Sequence, residues 1–102
     1  SDPFYGAPTQ VYVFASKDNE NNVKDGSLVL GTMMLAAHSI GLGSCWINRV
    51  DKMSERDDVK ALMKEWGLPD GLVGVGSLAL GYAAAAPRPG KPRKEGYSRV
   101  IK

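Results

Sequence analysis

The stretch of this chain that most restricts its fold is residues 28–37, in which Thr32 is the single polar side chain. The stretch lies within a helix predicted over residues 25–39, which Asp25 begins as the N-cap and Gly41 ends. A surface helix shows a polar stripe, whereas a helix that is apolar all round is normally buried all round. We therefore expect this helix to be covered on every side.

The rest of the chain is too small to provide that cover. The chain has 102 residues, of which 43% are hydrophobic and 24% charged, as in ordinary globular proteins. A domain of this length buries only roughly 60–65% of its unfolded surface. Gly31, Ala36 and Ala37 also favour close approach by a second backbone. The missing cover is expected from another polypeptide or from a segment outside these residues, and the start at Ser1-Asp2-Pro3 is expected to be a cut or processed end.

Apolar periodicity elsewhere predicts strands and one amphipathic helix. A capping box at Ser54 is expected to begin the helix, which then carries four apolar residues on one face: Val59, Leu62, Met63 and Trp66. The apolar runs predict three strands, the first and third covered on both faces, and a short fourth strand near the C-terminus: 11–15, 44–50, 72–80 and 98–101.

Several residues that carry chemistry in other proteins are expected to be structural here. Cys45 is the single cysteine, which excludes an internal disulfide and a multi-cysteine metal site, fits a reducing cytosol and favours a small buried hydrophobe. His38 lacks a second ligand, so we expect a hydrogen-bonded residue at a helix end rather than a metal ligand. No apolar run reaches about 18 residues, so no transmembrane helix is expected. Four large side chains are assigned to the core: Trp46, Trp66, Met33 and Met34.

The charges of the chain are unevenly distributed. Residues 1–87 hold seven Lys or Arg against ten Asp or Glu, whereas residues 88–102 hold six against one. Lys91 and Arg93 point the same way in an extended chain, so both can reach one phosphate group. By composition alone a solvated tail is the more common outcome. A nucleic-acid site is weaker still, because Tyr97 is the one aromatic residue near these charges.

A glycine turn at residues 41–43 is the second candidate ligand site. Gly41 and Gly43 would let backbone amides approach a flat or anionic ligand, although a helix C-cap followed by a turn explains the same spacing. Residues 74–79 formally match the G-x-G-x-x-A dinucleotide fingerprint. They lie inside an apolar strand and open no helix, so we interpret this match as accidental.

Eight short motifs follow one another along the chain: Gly6-Ala7-Pro8, Asp25-Gly26-Ser27-Leu28, Met33-Met34-Leu35-Ala36-Ala37-His38, Gly41-Leu42-Gly43-Ser44-Cys45-Trp46, Leu62-Met63-Lys64-Glu65-Trp66-Gly67-Leu68-Pro69, Val73-Gly74-Val75-Gly76, Leu80-Gly81-Tyr82 and Lys91-Pro92-Arg93. Their order resembles the second half of the nitroreductase family of flavoproteins. The family's N-terminal Arg-rich FMN motif and its Pro-Ser…Gln-Pro-Trp segment do not occur in this sequence. We therefore expect residues 1–102 to be the C-terminal part of a single nitroreductase-like domain, with 83–102 as an extended basic tail and about 60–70 residues missing before it.

The resemblance implies an α+β fold, in which an incomplete nitroreductase-like domain has a mixed or antiparallel sheet and a central buried helix. It implies FMN as the cofactor, with the amides of Gly41, Leu42 and Gly43 facing the flavin N5 and O4 edge. Lys91 and Arg93 resemble the pair that contacts the FMN phosphate. The resemblance also implies an intertwined homodimer with FMN at the interface, and a tail that crosses to the partner and adds an edge strand. No catalytic side chain and no metal are implied, because the flavin supplies the hydride chemistry.

The implied function is that of an FMN-dependent oxidoreductase that uses NAD(P)H to reduce nitroaromatics, quinones or similar acceptors by ping-pong hydride transfer. The expected location is the cytoplasm, with no nucleic-acid or membrane partner. The alternative is a non-catalytic dimerisation fragment that cannot bind flavin alone, because the N-terminal FMN motif is missing.

Overall fold

A computed structural model describes residues 6–82 and 89–101 of the chain. Within these ranges three strands and three helices follow one another: β1 (Thr9–Ser16), α1 (Asn22–Ser39), β2 (Gly43–Ile47), α2 (Val50–Met53), α3 (Asp57–Glu65) and β3 (Leu72–Gly81). The strands are antiparallel and the helices pack on them, so the predicted α+β class is confirmed.

The C-terminal tail differs from the prediction at one point. Residues 98–101 form no strand, because a short strand is stable only when a neighbour satisfies its backbone groups, and none of the described strands pairs with it. Residues 89–101 as a whole contain neither helix nor strand. Residues 83–88 and 102 of the predicted tail lie outside the described residues.

The three strands form one antiparallel sheet in the order β1-β3-β2. β3 is central: Leu78 pairs with Val11 of β1 on one side and with Trp46 of β2 on the other. This position explains why residues 74–79 are all buried. The strand predicted at 72–80 is confirmed, and its glycines open no helix, so the dinucleotide fingerprint there is accidental, as interpreted.

A β-bulge in the β1–β3 ladder decides which face of β3 meets α1. Val13 pairs with Gly76 and Phe14 with Gly74, so Val75 is the extra residue. Strict alternation would place Val75 and Leu78 on opposite faces of the sheet. With the bulge, both side chains pack in one core cluster with Leu30 of α1.

The inner face of α1 packs tightly against β3. Leu30 is fully buried and Ala37 is buried near the helix end. Gly26 lies so close to Val75 that an added Cβ would stand 2.6 Å from a methyl carbon of that valine. The close backbone approach expected at Gly31 therefore occurs at Gly26 instead, where only glycine fits without displacing a neighbour.

The N-terminus of α1 lies one turn before the predicted position. The helix begins at Asn22 rather than after an N-cap at Asp25, because Asn side chains organise the preceding turn. Asn19 receives the Asn21 amide at 2.9 Å and donates to Asp25 at 3.1 Å. Asp25 thus lies inside the first turn, where a carboxylate interacts favourably with the helix dipole.

The outer face of α1 is not covered by any described residue of this chain. Leu28 is 72% exposed and Leu35 is 75% exposed. Three further apolar residues in α1 or at its C-cap are about half exposed or more: Val23, Val29 and Ile40. An added Cβ on Gly31 would meet no atom within 4 Å. The helix is therefore buried on one side only within the described residues, and the cover expected from elsewhere stays a prediction.

The segment after β2 corrects two predicted boundaries. β2 ends at Ile47, and Val50 begins the short helix α2 instead of ending the strand. Ser54 is not an N-cap: it is buried, its Oγ accepts the Gly74 amide at 3.1 Å and donates to the Asp51 carbonyl at 3.0 Å. The N-cap of α3 is Arg56. Its backbone is extended, and its side chain makes no capping hydrogen bond. The buried Gly74 amide needs a hydrogen-bond acceptor, and the Ser54 hydroxyl serves this amide instead of capping α3.

Two residues assigned to the interior are more open than expected. Cys45 is exposed on the edge strand β2, so its assignment as a buried hydrophobe is wrong. Trp66 follows the end of α3 and is 51% exposed, although one side of its ring lies 6.0 Å from the Tyr12 ring. Both corrections have one cause, since a three-stranded sheet leaves its edges and part of one face without a covering layer.

Candidate functional site

The glycine turn after α1 is a tight helix stop. The Gly41 amide donates to the His38 carbonyl at 3.1 Å, and the Leu42 amide donates to the Ala37 carbonyl at 2.9 Å. Gly41 has a φ of 83°, the left-handed conformation that such a stop requires and that glycine adopts without strain. The arrangement is a Schellman motif, so the C-cap considered as the alternative for this turn is present.

The cap changes how the turn can bind a ligand. Two of the three amides expected to face a flavin, those of Gly41 and Leu42, already donate to the helix. Gly43 is the member of the turn whose amide is not part of the cap, and it begins β2 opposite Gly81. The rigid cap fixes the position of Gly43 relative to α1, which is useful for holding a ligand in one orientation.

Gly43 lies in the wall of an open concavity at one end of the sheet, with a volume of about 380 Å³. Three segments line it, and each contributes a glycine: residues 6–8, 43–45 and 79–82. The three glycines leave part of this wall without side chains, so a flat ring could approach the backbone there. Cys45 also lies there, with its Sγ 3.7 Å from the Trp46 carbonyl oxygen.

The basic pair of the tail lies elsewhere on the surface. Lys91 and Arg93 are exposed, and neither forms an ion pair or a hydrogen bond with another residue of the described ranges. Arg93 lines a separate cavity of about 230 Å³ together with Pro92, Lys94 and Tyr97. The structure thus leaves both cations available for an anion, but it does not bring them into the concavity that Gly43 lines.

Two further titratable side chains, His38 and Tyr12, lie outside both cavities. His38 lies in the last turn of α1 as expected, but it is exposed and its side chain makes no hydrogen bond to another described residue, so the expected hydrogen bond is not found. On the sheet, burial raises the pKa of the Tyr12 hydroxyl above its ordinary value, and this hydroxyl donates to Gln10 at 2.7 Å. In the described part of the chain, no three His, Cys, Asp or Glu residues are grouped to hold a metal ion. No helix there has the length and apolar character needed to span a bilayer.

Comparison with known proteins gives a consistent result. A sequence model described as the nitroreductase family matches residues 1–82. A nitroreductase with bound FMN from Bacteroides fragilis is 32% identical, with a TM-score of 0.86 over 98% of this chain and 54% of its own. An iodotyrosine deiodinase bound to FMN and 3-iodo-L-tyrosine is 28% identical, with a TM-score of 0.64 over 98% of this chain and 50% of its own.

More distant matches extend the likeness of the fold. An FMN-dependent nitroreductase from Clostridium difficile is 21% identical, with a TM-score of 0.79 over 98% of this chain and 62% of its own. No curated protein sequence matches the chain significantly. The chain spans about half the length of the solved structures that it matches.

Proposed function

This chain belongs to the nitroreductase family, and we propose that it is the C-terminal half of an FMN-dependent oxidoreductase. The observation that carries the proposal is the likeness over 98% of the chain to a nitroreductase with bound FMN, at 32% identity. The ordered motifs of the sequence add to it, since they cover both the region matched by the family and the basic tail beyond residue 82.

The residues present suit the two ends of FMN differently. Lys91 and Arg93 would hold the phosphate, because both are exposed and neither pairs with a described residue, and because hydrogen bonds from cations to phosphate oxygens are strong. At the ring end Gly43 would present its amide to the flavin edge. Gly41 and Leu42 would hold the turn in place, since their amides are used by the cap. When bound, FMN supplies the hydride chemistry.

The reductant and the acceptor form the finer part of the proposal. We assign NAD(P)H as the reductant and nitroaromatics, quinones or related compounds as acceptors, used in turn at one site by a ping-pong mechanism. The family likeness and the open concavity that Gly43 lines support a planar substrate. The likeness to an iodotyrosine deiodinase makes a halogenated aromatic the natural competing class of acceptor to test.

The oligomeric state belongs to the same proposal. The outer face of α1 presents Leu28 and Leu35 to solvent, and a second copy of the chain would cover it in a homodimer. The separate positions of Gly43 and Arg93 favour a site whose parts come from two chains. The cytoplasm is the proposed location, because the single cysteine is a free thiol.

The second candidate function is a non-catalytic dimerisation half that cannot bind flavin by itself. Two observations favour it: the chain spans about half the length of its solved relatives, and the expected ring and phosphate contacts line different cavities. It predicts the same exposed helix face and the same dimer, but no flavin.

Flavin titration of the purified protein separates the two candidates. We expect a yellow, stoichiometric complex, with quenched flavin fluorescence as the readout. The Lys91→Gln/Arg93→Gln double variant should weaken FMN binding at least about tenfold, because charge-assisted hydrogen bonds contribute about 1.5–3 kcal/mol each. Lys52→Gln, an exposed charge on α2, is the matched control and should change nothing. A colourless protein that never saturates with FMN would overturn the proposal and support the dimerisation half.

A further inference from the structure

A third cavity lies between α3 and the segment that leads into β3, apart from the proposed flavin contacts. Its volume is about 230 Å³. Lys60 and Lys64 of α3 form one side of it, Asp70 and Gly71 form the other, and the buried Met63 lies between them. Neither the glycine turn nor the basic pair of the tail is among the described residues that line it.

Two lysines line this cavity, and the stem of a third, Lys17, lies beside the lining residue Gly71. Lys60 and Lys64 are one helical turn apart, so their side chains leave α3 on the same face. Lys17 directly follows the end of β1, and its amide donates to the Gly71 carbonyl at 2.8 Å. Its side-chain stem lies beside Gly71, with Cε 3.5 Å from the position that a Cβ there would occupy.

These cations are not neutralised by the described part of the protein. The salt bridge found in residues 6–82 and 89–101 joins Arg56 and Asp58, and no hydrogen bond there uses the Nζ of Lys17, Lys60 or Lys64. Like charges one turn apart on a helix destabilise it, and a bound anion removes that repulsion. Among the described lining residues Asp70 is the one carboxylate, so the net charge around the cavity is positive.

We propose that this cavity binds a phosphate group, held between Lys60 and Lys64 with Lys17 contributing from the β1 side. A phosphate group carries between one and two negative charges at neutral pH, which suits two or three unpaired ammonium groups. A volume of about 230 Å³ also leaves space for part of the molecule that bears the phosphate. The same chemistry is offered by inorganic phosphate and by a phosphate monoester such as a nucleotide.

Titration of the purified protein at constant ionic strength tests the proposal, with inorganic phosphate and AMP as separate probes and backbone amide NMR shifts as the readout. We expect saturable shifts in residues around the cavity. Lys60→Gln and Lys64→Gln should each weaken binding about two- to fivefold, as expected for partly exposed ion pairs. Asp70→Asn should tighten binding by a similar factor, since it removes the opposing charge. Lys52→Gln is the matched control.

The outcomes are distinct from those of the flavin experiment. Tighter binding of AMP assigns the cavity to a phosphate monoester, whereas equal affinity assigns it to free phosphate. Shifts that do not saturate, or that NaCl reproduces, overturn the proposal. So does binding that is lost in the Lys91→Gln/Arg93→Gln variant but unchanged in Lys60→Gln/Lys64→Gln. Circular dichroism of each variant confirms that these exposed substitutions leave the fold intact.

Discussion

The two faces of α1 both carry leucine but have opposite surroundings. The inner face, with Gly26, Leu30 and Ala37, packs against the central strand β3. The outer face, with Leu28 and Leu35, is largely open to solvent. Because burial of apolar surface is the main stabilising term in folding, these two exposed leucines are the basis of the proposed homodimer.

The largest expected difference in the free energy of unfolding is between two leucine substitutions, one on each face of α1. Leu30→Ala should lower the free energy of unfolding by about 2–5 kcal/mol, because it removes buried contacts and leaves a cavity. Leu35→Ala should change the stability of the monomer by less than about 0.5 kcal/mol, as surface substitutions usually do. Urea denaturation at a concentration where the protein is monomeric measures both. Equal losses would contradict the division of the helix into two faces.

The next effect concerns association rather than folding. Leu28→Ser/Leu35→Ser should weaken the proposed homodimer at least about tenfold, since each leucine covered at an interface contributes about 1.5–3 kcal/mol. Sedimentation velocity over a range of protein concentrations gives the dissociation constant. Lys52→Gln, an exposed charge on α2, is the control. A wild-type protein that sediments as a compact monomer would contradict the proposal that a second copy covers the outer face.

Gly26→Ala tests the tight contact on the inner face. The new Cβ would overlap the Val75 side chain, so we expect a loss of about 1–3 kcal/mol, as for other overpacked cores. Thermal unfolding of the monomeric protein provides the measurement. A compensating Val75→Ala substitution in the same chain should recover part of the loss. Without such recovery, the contact between these two residues is not the cause.

Gly31→Ala gives the smallest effect and distinguishes an open face from a closely covered one. On an open helix face alanine stabilises by about 0.5–1 kcal/mol relative to glycine. We expect this gain in the monomer, because no atom lies within 4 Å of the added Cβ. In the dimer the same substitution should weaken association if the partner backbone approaches there. Unfolding and sedimentation measured on one sample separate the two effects.

Much of the fold follows from local sequence signals. The central strand β3 is nearly continuous in apolar residues, and the helix stop at Gly41 follows from a glycine after an apolar helix. Boundaries set by side chains of other elements could not be predicted. The local sequence predicts Ser54 as an N-cap, but its hydroxyl accepts a hydrogen bond from the buried Gly74 amide. α1 begins one turn before the predicted position because Asn19 organises the preceding turn.

The candidate site was predictable as residue types but not as geometry. The glycine turn and the tail cations are visible in the sequence, and both are present and accessible in the structure. That the amides of Gly41 and Leu42 cap the helix depends on backbone angles that spacing alone leaves open. The lysines at the third cavity had no sequence signal, because Lys17 is far from Lys60 and Lys64 along the chain and comes near this cavity only through its own contact with Gly71.

The sequence by itself determined that a long apolar helix must sit in a small α+β unit and that this unit cannot surround it. The order of its motifs also determined the family. Only the tertiary structure decided which face of the helix is buried, since that depends on the bulge that directs Val75 toward Leu30 and on the absence of a Cβ at Gly26. The reason is physical: hydrophobicity is a property of each residue, whereas burial is a property of the contacts that distant residues make.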